Sequence, residues 1–491
     1  MREVGSATAA PAREDLAPGL ERAFSFLPEE RSYRLREIAG AVPAFVRGTC
    51  YWNGPARFAR GGLRYRHWLD GDGMVCALRF GDDGIDFTNR FVRSAKWTAE
   101  EEAERPVFRA FGTAFPGDRL VRGIALESPV NVSVYPFRGT LLACGEQGLP
   151  WELDPRTLAT RGTFTFGGAL NALSPFSAHA KIDPGNGELL NFGISYASAQ
   201  PCLNVYRFSP SGALLARRRV PLPYPASLHD FCASTGHLIF FISPYLLDLR
   251  SLAGGRTLMD SLSWQPELGS RLLVVSRDSG EVVASVPAGS GYCLHTIHAS
   301  EDGDRLTVDL LELDRPVYDQ YQEMPDLFTA VGEGRPVRLV VDLRGGRLAA
   351  RHEIDYQLAP DFPAIDLYRL HRAELPYRDF WMLGISAAGR PGRKFFDQLV
   401  HVDWSAPGSL DLWQAPAGHY LAGEPLMVAD PAAPADARGG ALLCPLFDSA
   451  ARASRVLVFD ALDVAAGPRA TLYLEAPVPP SFHSSFAAPT Q

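Results

Sequence analysis

Lysine is nearly missing from this sequence. Lys96, Lys181 and Lys394 are the only three, so arginine supplies almost all of the 48 positive charges. Against 56 acidic residues the formal net charge is −8, which leaves no basic footprint for a nucleic-acid partner. Cysteine is sparse and scattered: Cys50, Cys76, Cys144, Cys202, Cys232, Cys293 and Cys444 form no C-x-x-C pair. That pattern excludes a zinc ribbon or a disulfide framework and implies reduced thiols in a cytoplasmic setting. Long apolar runs are absent too. Leu238 to Leu247 is the longest at ten residues and is broken by Ser243 and Pro244, whereas a spanning helix needs about 20. The N-terminus, Met1 to Ala23, lacks the basic and apolar regions of a secretory leader, and residues 1–30 read as a flexible arm. No G-x-G-x-x-G follows a strand-like run and no Walker loop occurs, so nucleotide cofactors are not expected. Long helical patterns are also missing. The best short one is Ala99 to Glu104, with Thr98 as its N-cap.

What remains is turns and strands. The 491 residues include 45 glycines and 39 prolines. Short β-branched or aromatic runs are closed by Asp, Gly, Pro and Asn turns. Such signals fall at Asp154, Asp183, Pro210, Asp278, Asp342, Asp403 and Asp460. From Asp278 onward they are 64, 61 and 57 residues apart, whereas Asp183 lies only 27 before Pro210. A unit near sixty residues suits a four-stranded blade with decorated loops, and a propeller typically has about 4–8 blades. Length alone suggests about three domains, for instance separate β-sandwiches. No Pro/Gly/Ser-rich linker appears between Phe45 and His483, however. The expectation is one all-β seven-bladed propeller over 31–491, with loops and short helices capping its axis.

Four of the eleven histidines sit in strand-like, apolar or small-residue contexts: His179, His229, His295 and His483. Their separations are 50, 66 and 188 residues, or about one, one and three blades. The innermost strand of every blade passes the axis, so one inward side chain per blade can meet partners from far along the chain. A single such histidine is more often a hydrogen-bonded core residue; the set and its spacing point to a transition metal, with iron, copper and zinc all compatible with imidazole. A metal-bound histidine usually donates its other N–H to a carboxylate. Glu146 and Glu424, each after a glycine, and Asp361 in A-P-D-F-P are acids among apolar residues.

From about Phe45 to His483 the chain resembles the carotenoid cleavage oxygenases, a family that includes apocarotenoid oxygenases and lignostilbene dioxygenases. The motifs, in family order, are Y-W-N-G-P-A-R-F (51–58), H-W-L-D-G-D-G-M (67–74), N-R-F-V-R-S (89–94) and L-L-A-C-G-E-Q-G-L-P-W-E-L-D-P (141–155). They continue with S-A-H-A-K-I-D-P (177–184), S-L-H-D-F (227–231), L-H-T-I-H-A (294–299), G-E-P-L-M-V (423–428) and F-H-S-S-F (482–486). The resemblance implies a non-haem Fe(II) held by His179, His229, His295 and His483. It implies outer carboxylates at Glu146, Glu424 and Asp361, the last standing where the family has Glu in E-F-P-R-I, with Glu374 as the alternative. His298 replaces a common Asn, and Val132 stands where several members have Thr near the open iron face.

The implied reaction is cleavage of a C=C bond of a carotenoid or apocarotenoid by O2 into two carbonyl compounds. Alternatives are stilbene cleavage, a retinoid-type isomerisation on the same scaffold, and a metal-free binding propeller. Lignostilbene members hold a substrate phenol with a Lys and a Tyr, the Lys falling in the stretch before the Glu146 element. No lysine lies between Lys96 and Lys181, which favours the polyene. The run Tyr245 to Met259, with five leucines beside Arg250 and Arg256, reads as a peripheral membrane contact that would receive an apolar substrate.

Overall fold

A computed structural model describes residues 15–121, 125–196, 200–320, 323–356, 358–366, 378–434 and 438–489. Its strands form seven blades around one axis. From the second blade to the sixth, four strands in chain order make each sheet, as with Lys181–Ile182, Leu189–Ser195, Cys202–Phe208 and Leu214–Pro221 in the third; in the fourth a separate hairpin, Tyr245–Leu247 with Leu262–Trp264, is inserted between the second and third strands. The first blade closes the ring. Its innermost strand is the C-terminal Ser484–Ala487, paired with Gly48–Arg57 near the other end of the chain.

The turn signals report this architecture with one exception. Asp154, Pro210, Asp278, Asp342, Asp403 and Asp460, 56 to 68 residues apart, all connect the third strand of a blade to its fourth. Asp183 instead joins the first and second strands of the third blade, which explains its odd spacing. Middle strands are covered on both faces by neighbouring blades and read as unbroken apolar runs: Leu238 to Ile242 is buried throughout. Outer strands alternate, and Arg347–Glu353 is exposed at every second position.

Three local expectations change. Helix α1 covers Ala95–Glu102, four residues earlier than expected, because Ser94 rather than Thr98 caps it: the Ser94 hydroxyl accepts from the Trp97 amide at 3.1 Å. Of the flexible arm, residues 1–14 lie outside the described residues, and from Asp15 the chain is packed. Ala17, Leu20, Ala23 and Phe24 are at most 1% exposed, and the Phe24 ring lies 5.6–6.2 Å from Phe58, Trp68 and Phe395. Most leucines of 245–259 face inward: Leu247, Leu252 and Leu258 are buried in a cluster with Phe111, Leu120 and Leu126, and the half-buried Leu249 packs against it. Leu246 is half-buried outside the cluster, and Asp248, Arg250 and Ala253 to Arg256 are exposed.

Candidate metal centre

The four histidines arrive from four blades. His179, His229 and His483 lie just ahead of the innermost strands of the third, fourth and first blades, which begin at Lys181, Cys232 and Ser484, and His295 lies within that of the fifth. One ring nitrogen of each lies within 4.8 Å of the others. The Nε2 atoms of His179 and His229 are 2.8 Å apart, and those of His229 and His295 3.2 Å. The side chains are only 5–9% exposed.

The acids come from the three blades that supply no histidine. Glu146 lies 2.8 Å from His229 Nδ1, Asp361 2.5 Å from His295 Nδ1 and Glu424 3.4 Å from His483 Nδ1. Both glutamates follow a glycine for a steric reason. A Cβ on Gly145 would stand 2.0 Å from Ser128 Oγ, and one on Gly423 2.3 Å from Ser481 Oγ. The glutamate backbones can therefore pass close beside their neighbours. The Ser484 amide, next to His483, donates to Glu424 Oε2 at 2.9 Å and fixes that carboxylate.

Asp361 is one methylene shorter than the glutamate of the motif it resembles, and the backbone makes up the reach. The sheet register shifts between Asp361 and Ala364, and Phe362 adopts φ 53°. A β-bulge of this kind re-aims a side chain, and a left-handed non-glycine residue persists only where its surroundings hold it. Phe362 is held by rings on both sides, 5.7 Å from His295 and 5.4 Å from His483 and from Phe396. Glu374, the alternative third acid, lies outside the described residues.

The protonation pattern fits a cation. An Nδ1 that faces a carboxylate carries the proton, which leaves Nε2 as a lone pair. The Nε2 lone pairs of His229 and His295, 3.2 Å apart, repel unless something positive lies between them. Burial, and then the neighbouring imidazoles, push His179 well below the usual histidine range; burial also lowers His483. His295 goes the other way, because the Asp361 carboxylate outweighs the burial that opposes protonation. Asp361 itself is held below the usual carboxylate range, its burial overcome by His295. Neutral imidazoles backed by carboxylates are the donor set that a divalent transition metal takes.

His179 is held differently, by its backbone. The hydroxyls of Ser133 and Tyr135 both donate to the Ala178 carbonyl, at 2.5 and 3.2 Å. The His179 amide donates to Ser177 Oγ at 2.9 Å. Sequence reasoning missed these residues, because nothing local marks a serine or tyrosine that bonds a carbonyl 43–45 positions away. Val132 is buried, and its carbonyl accepts from the His483 amide at 3.2 Å. His298 lies outside the cluster, opposite Asp309.

Beside Glu146 lies a cavity that is partly open to solvent. Phe111, Leu126 and Leu258 line it, together with Lys96 and Glu127. Of the 245–259 segment, Leu258 reaches this cavity. Lys96 reaches the cavity wall, but its three N–H donors are spent within the protein, so it does not stand in for the substrate-holding lysine that the sequence lacks. Its Nζ is 3.1 Å from the Tyr65 hydroxyl, 2.8 Å from Asp72 and 2.9 Å from Glu100.

Because loss of such an outer partner typically costs roughly 10–100-fold in metal affinity or activity, Glu424→Gln is expected to lower turnover by that factor. The amide oxygen can still accept from Ser484, so the thermal midpoint of the metal-free protein should stay at the wild-type value. Unchanged turnover would remove Glu424 from the site.

Comparison with known proteins agrees with this geometry. The family model described as RPE65, retinal pigment epithelial membrane protein, matches residues 24–488. The chain is 28% identical to the apocarotenoid-15,15'-oxygenase of Synechocystis sp., over 98% of each protein. It is 30% identical to the isoeugenol monooxygenase of Pseudomonas nitroreducens, over 89% of this chain and 91% of that one. It is 28% identical to lignostilbene-alpha,beta-dioxygenase isozyme III of Sphingomonas paucimobilis, over 88% and 89%. The solved structure of cobalt-substituted Synechocystis apocarotenoid oxygenase superposes with a TM-score of 0.86 at 26% identity, covering 97% of this chain and all of that one.

Proposed function

The chain belongs to the RPE65 family of carotenoid oxygenases, and on that premise we propose that it is a non-haem Fe(II) dioxygenase cleaving a C=C bond of a carotenoid or apocarotenoid. One observation carries the reading: four imidazole nitrogens from four blades converge, and three of the rings face a carboxylate from the other blades. The catalytic unit is the propeller over 31–491 together with the packed segment from Asp15.

Iron(II) held by His179, His229, His295 and His483 would bring O2 and the alkene together. The balance is R–CH=CH–R′ + O2 giving R–CHO and R′–CHO. The alkene supplies the electrons, so no flavin or nicotinamide is required. The protein residues orient and exclude water. Glu146, Asp361 and Glu424 hold the Nδ1 protons and so keep each Nε2 free. Phe362 and Phe482 give the axis an apolar wall, and Trp68 buttresses it, 4.4 Å from Phe482 with its indole N–H on the Pro480 carbonyl. The substrate approaches through the cavity beside Glu146.

The relatives favour a second reading, a phenolic alkene: two of those named above are an isoeugenol monooxygenase and a lignostilbene dioxygenase. Incubating Fe(II)-loaded protein with carotenoids, apocarotenals and stilbenes, followed by product mass, decides between them. Two shorter carbonyl products from a polyene are expected. Cleavage confined to the stilbenes selects the second reading, and an isomer of unchanged mass overturns cleavage altogether.

A further inference from the structure

Three of the four histidine segments are tied to one another behind the rings, at Asp230. This residue follows His229, and its side chain is 2% exposed. In extended chain successive side chains point to opposite sides, so Asp230 leaves the chain on the side opposite the His229 ring. There its Oδ2 accepts the Thr296 amide at 2.9 Å and the Thr296 hydroxyl at 2.8 Å. Thr296 is the residue after His295. Asp230 Oδ1 meets Lys181 Nζ at 2.7 Å, and Lys181 lies two residues beyond His179. One carboxylate therefore joins the segments that carry His179, His229 and His295.

The same oxygen lies 3.6 Å from His179 Nδ1, beyond hydrogen-bond range. His179 thus has a carboxylate nearby, as the other three rings do, but the charge of this one is spent on an ammonium. We propose that Asp230 is a positioning residue for the metal centre: with Lys181 and Thr296 it forms a charge-neutral staple that fixes three ligands relative to one another. Lys181 keeps this fourth acid from adding negative charge at the site and from capturing the His179 N–H. The inference rests on the four-histidine metal reading above.

The two partners must then act with opposite sign. Asp230→Asn leaves the ammonium uncompensated beside a bound cation and loosens the staple; Lys181→Met leaves a bare carboxylate there. With Co(II) as the probe, affinity by chelator competition should weaken about tenfold in Asp230→Asn, the scale of an outer-partner loss, and tighten in Lys181→Met. Freed to reach His179 Nδ1, Asp230 should also shift the visible Co(II) band of the Lys181→Met protein. Thermal melts of the metal-free variants separate folding from binding, since a merely structural pair would weaken both together. Any result other than opposite shifts overturns the proposal. Lys181 is 29% exposed, so if Asp230→Asn does not fold, Lys181→Met decides alone: tighter binding supports the staple, and weaker or unchanged binding overturns it. A wild-type protein that takes up no Co(II) would instead sink the four-histidine reading.

Discussion

A His229→Ala protein is expected to fold as a propeller and to retain no stoichiometric iron. His229 is the central member of the set, because its Nε2 is within 3.2 Å of both His179 and His295. Structural four-ligand zinc sites bind with roughly 10–16 kcal/mol. An even share is about 3 kcal/mol per ligand, or ~100-fold in affinity. The Glu146 carboxylate would also lose the ring it orients and would face the cavity instead. The fold should survive, since the ring points to the axis while Phe231 and Cys232, just after it, pack between blades. Metal content by mass spectrometry and far-ultraviolet circular dichroism, measured together, make the check. Stoichiometric iron in the folded variant would dissolve the assignment, whatever its effect on turnover.

The blade repeat was legible because third-to-fourth-strand turns lie at the exposed rim, where an Asp or Pro-Ser opening costs nothing in packing. The inner ends of the blades carry no such mark, and Asp183, the one first-to-second-strand signal, broke the count. The four histidines and Glu146, Glu424 and Asp361 were legible through their motifs. How Asp361 reaches His295 was not, because a bulge and a φ of 53° at Phe362 depend on the rings that hold them, which come from elsewhere in the chain. The leucines of 245–259 show a different limit. Helical spacing identifies an apolar face but not what covers it, and here Phe111, Leu120 and Leu126 do.

Lys96→Met is the substitution expected to cost most in stability. The Lys96, Asp72, Glu100 and Arg60 side chains are at most 2% exposed. Without the ammonium, Asp72 keeps only Arg60, at 2.7 Å. Glu100 keeps the Tyr65 hydroxyl at 2.7 Å and the Val107 and Phe108 amides at 3.0 and 3.2 Å, but no close cation, since Arg60 Nε is 3.9 Å away. Breaking a buried pair from one side costs roughly 3–5 kcal/mol, because a charge is left behind. With an unfolding entropy near 2.1 cal/mol/K per residue, that is a fall of ~3–5 °C in Tm for a chain of this length. The pH dependence has a definite sign. In the wild type Lys96 and Arg60 outweigh burial and hold Asp72 below the usual carboxylate range. Its contribution is therefore present above the unfolded pKa of about 3.9 and is lost as pH falls through the lower folded value. In Lys96→Met the ammonium no longer offsets burial and the folded pKa of Asp72 rises. The deficit is then greatest at high pH and shrinks as pH falls through that raised value. Melting both proteins at pH 5.5 and pH 8 tests this, with a Lys96→Met/Glu100→Gln double variant as a third arm. The gap should narrow at pH 5.5, and the double variant should melt above Lys96→Met alone, because it removes one orphaned charge. A gap that widens on acidification would mean that the cluster is held by packing and that its charges are incidental to the cavity wall.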